Sequence, residues 1–154
     1  MDETPAARLV SRLRGLSLRN RIGVLLLPPD WLGLERELAV RLGITYRDYR
    51  ELALSRVTPD QKFLPTNWRG FISRDLDGLV REARPDGDCV MVANADLPIS
   101  SLCQADRERL WSFLREIYKP AWGLLLTLPE ASHRLITEDE RRRWAIGQRL
   151  ANWE

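Results

Sequence analysis

The stretch Arg21–Gly43, RIGVLLLPPDWLGLERELAVRLG, constrains the fold of this chain more than any other. Ile22 to Leu27 is a continuous apolar run with no alternation, which suits a strand covered on both faces, and such strands belong to parallel sheets packed between helices. Pro28 and Pro29 end the run. Asp30 is then placed to cap a helix whose apolar positions, Trp31, Leu34, Leu38 and Leu42, recur every three or four residues, and Gly43 supplies a left-handed stop.

The rest of the chain repeats this cadence. Thr4 and Pro5 open a helix with Leu9, Leu13 and Leu16 on one face. Ile44 to Tyr46 reads as a short strand with a helical turn after it, and Ser73 begins a helix whose Leu76, Leu79 and Val80 face inward. Asp88–Asn94 and Trp122–Leu128 are two further buried strands. Between them, Ser101 and Gln104 form a capping box ahead of Leu110, Phe113, Leu114 and Ile117; after them, Thr137 and Glu140 form another, opening a helix with Trp144, Gly147 and Leu150 on one face. Helices alternating with buried strands predict an α/β fold, a small three-layer sandwich around a mainly parallel sheet of three to four strands joined by right-handed crossovers. The expected organisation is a single α/β domain over 1–154, with an N-terminal helix in 1–20, a core in 21–135 and a C-terminal helix in 136–154.

Three segments, LLLPPDWLGLERELAVRLGI, CVMVANADLPISSL and GLLLTLPEAS, together resemble a degenerate AAA-like P-loop NTPase core, and the outline is also similar to the accessory P-loop components of bacteriophage-exclusion defence systems. In that family the turn after the first strand is Gly-rich and ends in Gly-Lys and then Ser or Thr, so that backbone N–H groups wrap the phosphates, the Lys neutralises them and the hydroxyl holds Mg²⁺. Here the turn reads Asp30, Trp31, Leu32, Gly33, Leu34 and Glu35, without the Lys or the hydroxyl, and its two carboxylates oppose an anion at a helix N-terminus. The family's second strand ends in an acidic pair that holds Mg²⁺ and activates water. This chain has Asn94, Ala95 and Asp96, with Thr127 standing near the place of a phosphate-sensing polar residue. The resemblance therefore implies a P-loop NTPase-like fold whose chemistry is gone: no catalytic residue, no cofactor, no metal, and a role as a protein-interaction subunit or adaptor of a larger complex, in bacterial anti-phage defence.

Composition narrows the alternatives. A chain of 154 residues that is 44% hydrophobic can build one proper core. No apolar run approaches the roughly 20 residues that cross a bilayer, and MDETPAARLV lacks the apolar segment of a secretory signal. A cytoplasmic, non-membrane protein with reduced, buried Cys89 and Cys103 is expected. Of the 24 basic residues only Lys62 and Lys119 are lysines, and arginine favours planar, bidentate contacts. Trp68, Arg69 and Phe71, at the end of a Pro-containing connection, and Arg141 and Arg142 after the last capping box are the candidates for contact with a protein partner or a second copy of the chain. A nucleic-acid-binding module using Arg8, Arg12, Arg14 and Arg141 to Arg143 is the alternative, although a net charge of +2 is low for it. An NTPase with an unorthodox site around Asp96 and Thr127 is the second alternative. His133, the single histidine, sits beside Ser132 in a spacing that suits no catalytic triad.

Overall fold

The computed structural model describes residues 4–15, 19–56, 67–82 and 89–153. In chain order these form α1 (Pro5–Arg14), β1 (Ile22–Leu27), a 3₁₀ turn (Pro29–Trp31), α2 (Glu35–Leu42), β2 (Thr45–Asp48) and α3 (Tyr49–Arg56). A helical run follows in three pieces, α4 (Trp68–Gly70), a π-helical segment (Phe71–Leu76) and α5 (Asp77–Glu82). The chain continues with β3 (Cys89–Ala93), α6 (Asp96–Ser100), α7 (Gln104–Glu116), β4 (Gly123–Pro129), α8 (Glu138–Ile146) and β5 (Leu150–Asn152). The strands form one parallel sheet in the order β2-β3-β4-β1-β5.

This order explains the three layers. The β1-to-β2 connection runs one way along the sheet and every later connection runs the other way, so right-handed crossovers must place them on opposite faces. The cores obey that rule. Leu25, Leu27, Met91 and Leu125 pack against Leu9 and Leu13 of α1 and Leu38 of α2. Their sequence neighbours Val24, Leu26, Val92 and Leu126 meet Phe71, Leu76, Ile99, Leu110 and Trp144 from α4 to α8. Successive residues of each strand thus serve different layers, and every residue of β1 and β3 is buried. Gly23 makes room for α1, because a Cβ there would come within 2.9 Å of Leu9.

Several local signals act as expected. Thr4 caps α1 by accepting the Ala7 N–H at 3.1 Å, Thr137 caps α8 through the Glu140 N–H at 3.3 Å, and Gly43 stops α2 at φ +68°. Others fall elsewhere. Asp30 does not cap α2; it lies exposed in the 3₁₀ turn that the two prolines impose, and Leu34 occupies the N-cap without a side-chain bond. The helix assigned to begin at Ser73 begins at Trp68, because the Asn67 side chain accepts the Gly70 N–H at 2.7 Å. Ser101 does not cap α7; its hydroxyl donates to Pro98 O at the end of α6, and Cys103 takes the N-cap position with its side chain exposed, not buried.

The sheet has five strands among the described residues, not three to four. The extra strand is β5, and the C-terminal helix expected through residue 154 ends at Ile146. Gly147 and the left-handed Gln148 (φ +58°) break the helix. The chain then lies beside β1, with Val24 N–H donating to Arg149 O at 2.9 Å and Trp153 N–H to Leu26 O at 3.0 Å.

Candidate functional site

In a doubly wound sheet, ligand crevices form at the carboxyl ends of neighbouring strands whose connections leave toward opposite faces. Here those neighbours are β1, which exits into α2, and β4, which exits into α8. The expected crevice exists at that place. A cavity of about 150 Å³ is lined by Leu27, Leu32, Gly33 and Glu35 after β1, Asn94 and Asp96 after β3, and Thr127, Leu128 and Pro129 at the end of β4.

Its polar lining is acidic. Glu35 is the first residue of α2 and only 8% exposed. Asp96 opens α6, and its carboxyl is pushed above its ordinary value of 3.8 chiefly by burial, with the Glu35 charge adding to the rise against a hydrogen bond to its own backbone. Asn94 directly follows β3 in a left-handed conformation, φ +62°, and donates its side-chain N–H to the buried Asp48 carboxylate at 2.7 Å. Asp48 also accepts the Arg50 backbone N–H at 2.8 Å, so an amide–carboxylate clamp ties the end of β3 to the end of β2. Tyr46 nearby is pushed up to about 12, first by burial and then by Asp48 and Glu35. Thr127 is 3% exposed and belongs to the cavity wall. Comparison with known proteins returns no match, whether as a family model, a curated protein or a solved structure. The crevice must therefore be read from its own chemistry.

That chemistry disfavours anions. The lining holds two carboxylates, one amide and one hydroxyl, and no basic side chain. Because the folded chain binds a proton at Asp96 more tightly than the unfolded chain, this group's contribution to stability falls as pH rises above about 3.8 through the raised value. Asp96→Asn is expected to flatten that fall and to raise stability at pH 7. Chemical denaturation at a series of pH values checks this; an unchanged slope would remove Asp96 from the account.

The candidate contact residues separate into surface and core. Trp68 is half-buried against the core and Arg69 is exposed, with the Arg69 guanidinium 5.2 Å from the Trp68 ring centroid. Together with Ile72, Ser73, Phe113 and Ile117 they line an open, mainly apolar groove of about 540 Å³, in which Ile117 is 60% exposed. Phe71 does not reach this surface: it is buried and packs edge-on against Tyr49 at 5.6 Å. Arg141 is likewise buried and donates Nε–H to Ile136 O at 3.0 Å. Arg142 is exposed and pairs with Asp139 at 3.5 Å. The third arginine of that run, Arg143, is the one that lines the hollow adjoining Trp68, Phe113 and Ile117. Helical geometry turns successive residues by about 100°, so only one of three can face a given neighbour.

The arginine bias has a structural use that composition did not reveal. Arg12 donates to Gln148 O at 2.9 Å, Arg14 to Gly43 O at 2.7 Å, Arg21 to Leu13 O at 2.6 Å and Arg149 to Ile22 O at 2.9 Å. These guanidinium groups occupy backbone carbonyls at the ends of helices and strands, which otherwise lack partners. His133 is exposed and lies 3.0 Å from Glu138, away from the crevice lining.

Proposed function

We propose that this protein is a catalytically silent, AAA-like module that serves as a protein-interaction subunit or adaptor in a larger complex. The observation that carries this reading is the crevice at the β1–β4 switch point. Its position is where a P-loop-like fold would hold a nucleotide, but its volume of about 150 Å³ is below the roughly 300–1,000 Å³ usual for small-molecule sites. Its two carboxylates oppose phosphate where a lysine would attract it. The apolar groove around Trp68 and Ile117, with Arg69 and Arg143 beside it, supplies the kind of surface a protein partner covers, since Trp and Arg are favoured at such contacts.

The nucleic-acid alternative finds less support. Arg12 and Arg14 already hold carbonyls and Arg141 is buried, which removes half of the arginines that reading relies on. The NTPase alternative needs phosphate beside Glu35 and Asp96. Addition of millimolar ATP or GTP with Mg²⁺ is expected to leave the melting temperature unchanged. A ligand at a hundred times its dissociation constant adds about 2.7 kcal/mol, or roughly 5–10 °C for a chain of this size, so a shift of that order in thermal unfolding, matched by heat in calorimetry, would overturn the silent-module reading.

A further inference from the structure

We infer that the open groove between α7 and α4 with its π-helical extension takes an acidic amphipathic helix of a protein partner. Its floor is apolar. Trp68 and Phe113 meet edge-on at 5.8 Å, Ile72 joins them, and Ile117 stands largely exposed just after α7. A second hollow, of about 460 Å³, shares Trp68, Phe113 and Ile117 and continues past Ser112 and Ala105 to Arg143 of α8. The two together follow α7 from Ala105 to Ile117, about 18 Å of helix length, which roughly three turns of a second helix would cover; an apolar stripe at i, i+3, i+4 and i+7 is the usual way a helix fills such a groove. The wall also contains the π-helical turn Phe71–Leu76, the only one among the described residues. Ile72 and Ser73 of that turn line the groove, and π-helical turns concentrate at functional sites.

Charge selects the partner. Exposed arginines close by in sequence are engaged: Arg74 pairs with Asp75 at 3.0 Å, Arg109 with Asp106 at 2.8 Å and Arg142 with Asp139 at 3.5 Å. Arg69 and Arg143, which flank the groove from α4 and α8, are exposed and have no carboxylate partner among the described residues. Arg69 is already held over the Trp68 ring, so less freedom is lost when a partner arrives. Glu108, the one carboxylate in the lining, also borders a separate hollow that contains Arg107 and Arg134. An apolar floor between two unengaged guanidinium groups is complementary to a helix with apolar anchors on one face and carboxylates along its margins. Two arginines are too few for the phosphate track that nucleic acid requires. The inference rests on the proposed interaction role and adds the chemistry of the partner.

The test titrates the ¹⁵N-labelled chain with an acetylated peptide amide of about 15 residues, long enough to span the groove, with leucine at every third or fourth position and glutamate on the flanking ones. The same peptide with lysine for glutamate, a scrambled peptide of the same composition and a short oligothymidylate are run beside it. Saturable binding of the glutamate peptide is expected, with shifts concentrated at Trp68, Ile72, Phe113 and Ile117. The lysine peptide should bind about tenfold more weakly, because two ion pairs become repulsions, and the scrambled peptide should lose the apolar stripe and with it the binding. Arg69→Glu combined with Arg143→Glu, both at exposed positions, should invert the preference between glutamate and lysine. Equal affinity for the two charged peptides, no saturable binding of the glutamate peptide, or tighter binding of oligothymidylate at the same residues would overturn the inference on the unaltered protein. So would concentration-dependent sedimentation of the chain alone with shifts at these residues, since a second copy would then be the occupant. Those failures leave the silent-module reading standing, whereas nucleotide binding in the crevice sinks that reading and leaves the groove.

Discussion

Trp144→Ala is expected to destabilise the chain by about 3–5 kcal/mol, a large share of the roughly 5–15 kcal/mol that holds a domain folded. Trp144 is fully buried on α8 and is among the largest fully buried side chains. Its ring meets Trp111 of α7 edge-on at 6.0 Å, and the Arg149 guanidinium lies 4.4 Å from its centroid. Truncation would therefore open a cavity where α7, α8 and the sheet join, and the T-shaped pair and the cation–π contact would be lost with it. Trp144→Phe separates volume from polarity. The Trp144 Nε1–H has no hydrogen-bond partner among the described residues, so phenylalanine forfeits no bond and should cost well under half as much as alanine. Urea unfolding monitored by far-UV circular dichroism measures both. An alanine variant within about 1 kcal/mol of the parent would show that this junction is not part of the cooperative core.

What could be read from the residues follows from how many of them each signal uses. β1, β3 and β4 are long apolar runs, and every interior position repeats the same message; their burial and parallel pairing follow from that redundancy. β5 has three residues, Leu150–Asn152, and Leu150 stands three positions after Gly147, so helical spacing imitates its pattern. Its strand state is set by β1, whose Val24 N–H and Leu26 O are paired by the last residues of the chain, and no local signal carries that information. The candidate site divides in the same way. Glu35, Asp96 and Thr127 were visible as departures from a nucleotide-binding pattern, because a charge at a helix start has a meaning that position alone conveys. The Asn94–Asp48 clamp joins residues 46 apart in sequence, and the burial of Phe71 and Arg141 depends on which face of each helix meets the sheet. A run such as Arg141–Arg143 identifies a charged segment without saying which member points outward.

Arg149, which no sequence signal singles out, is expected to be the costliest charged side chain to remove. Its Nε–H donates to Ile22 O at the start of β1 and its Nη1–H to Arg115 O at the end of α7, both at 2.9 Å. Burial pushes it down to about 10, with the neighbouring Arg115 charge adding to the effect, so the guanidinium is held at a desolvation cost that the two carbonyls and the Trp144 ring offset. Arg149→Ala leaves both carbonyls without that donor and uncovers the ring; about 2–4 kcal/mol of destabilisation is expected, because unpaired buried polar groups keep their full desolvation penalty. Arg149→Lys keeps the charge but has no planar fork to reach carbonyls on two elements, so it should recover less than half of the loss. Arg149→Met keeps the stem and isolates packing. Since Arg149 also begins the segment that pairs with β1, amide exchange should accelerate first at Val24 and Trp153, whose N–H groups close β5 onto the sheet at 2.9 and 3.0 Å. A lysine variant as stable as the parent, with Val24 exchange unchanged, would mean that the charge alone matters and that the two carbonyl bonds contribute nothing measurable to holding β5 in place.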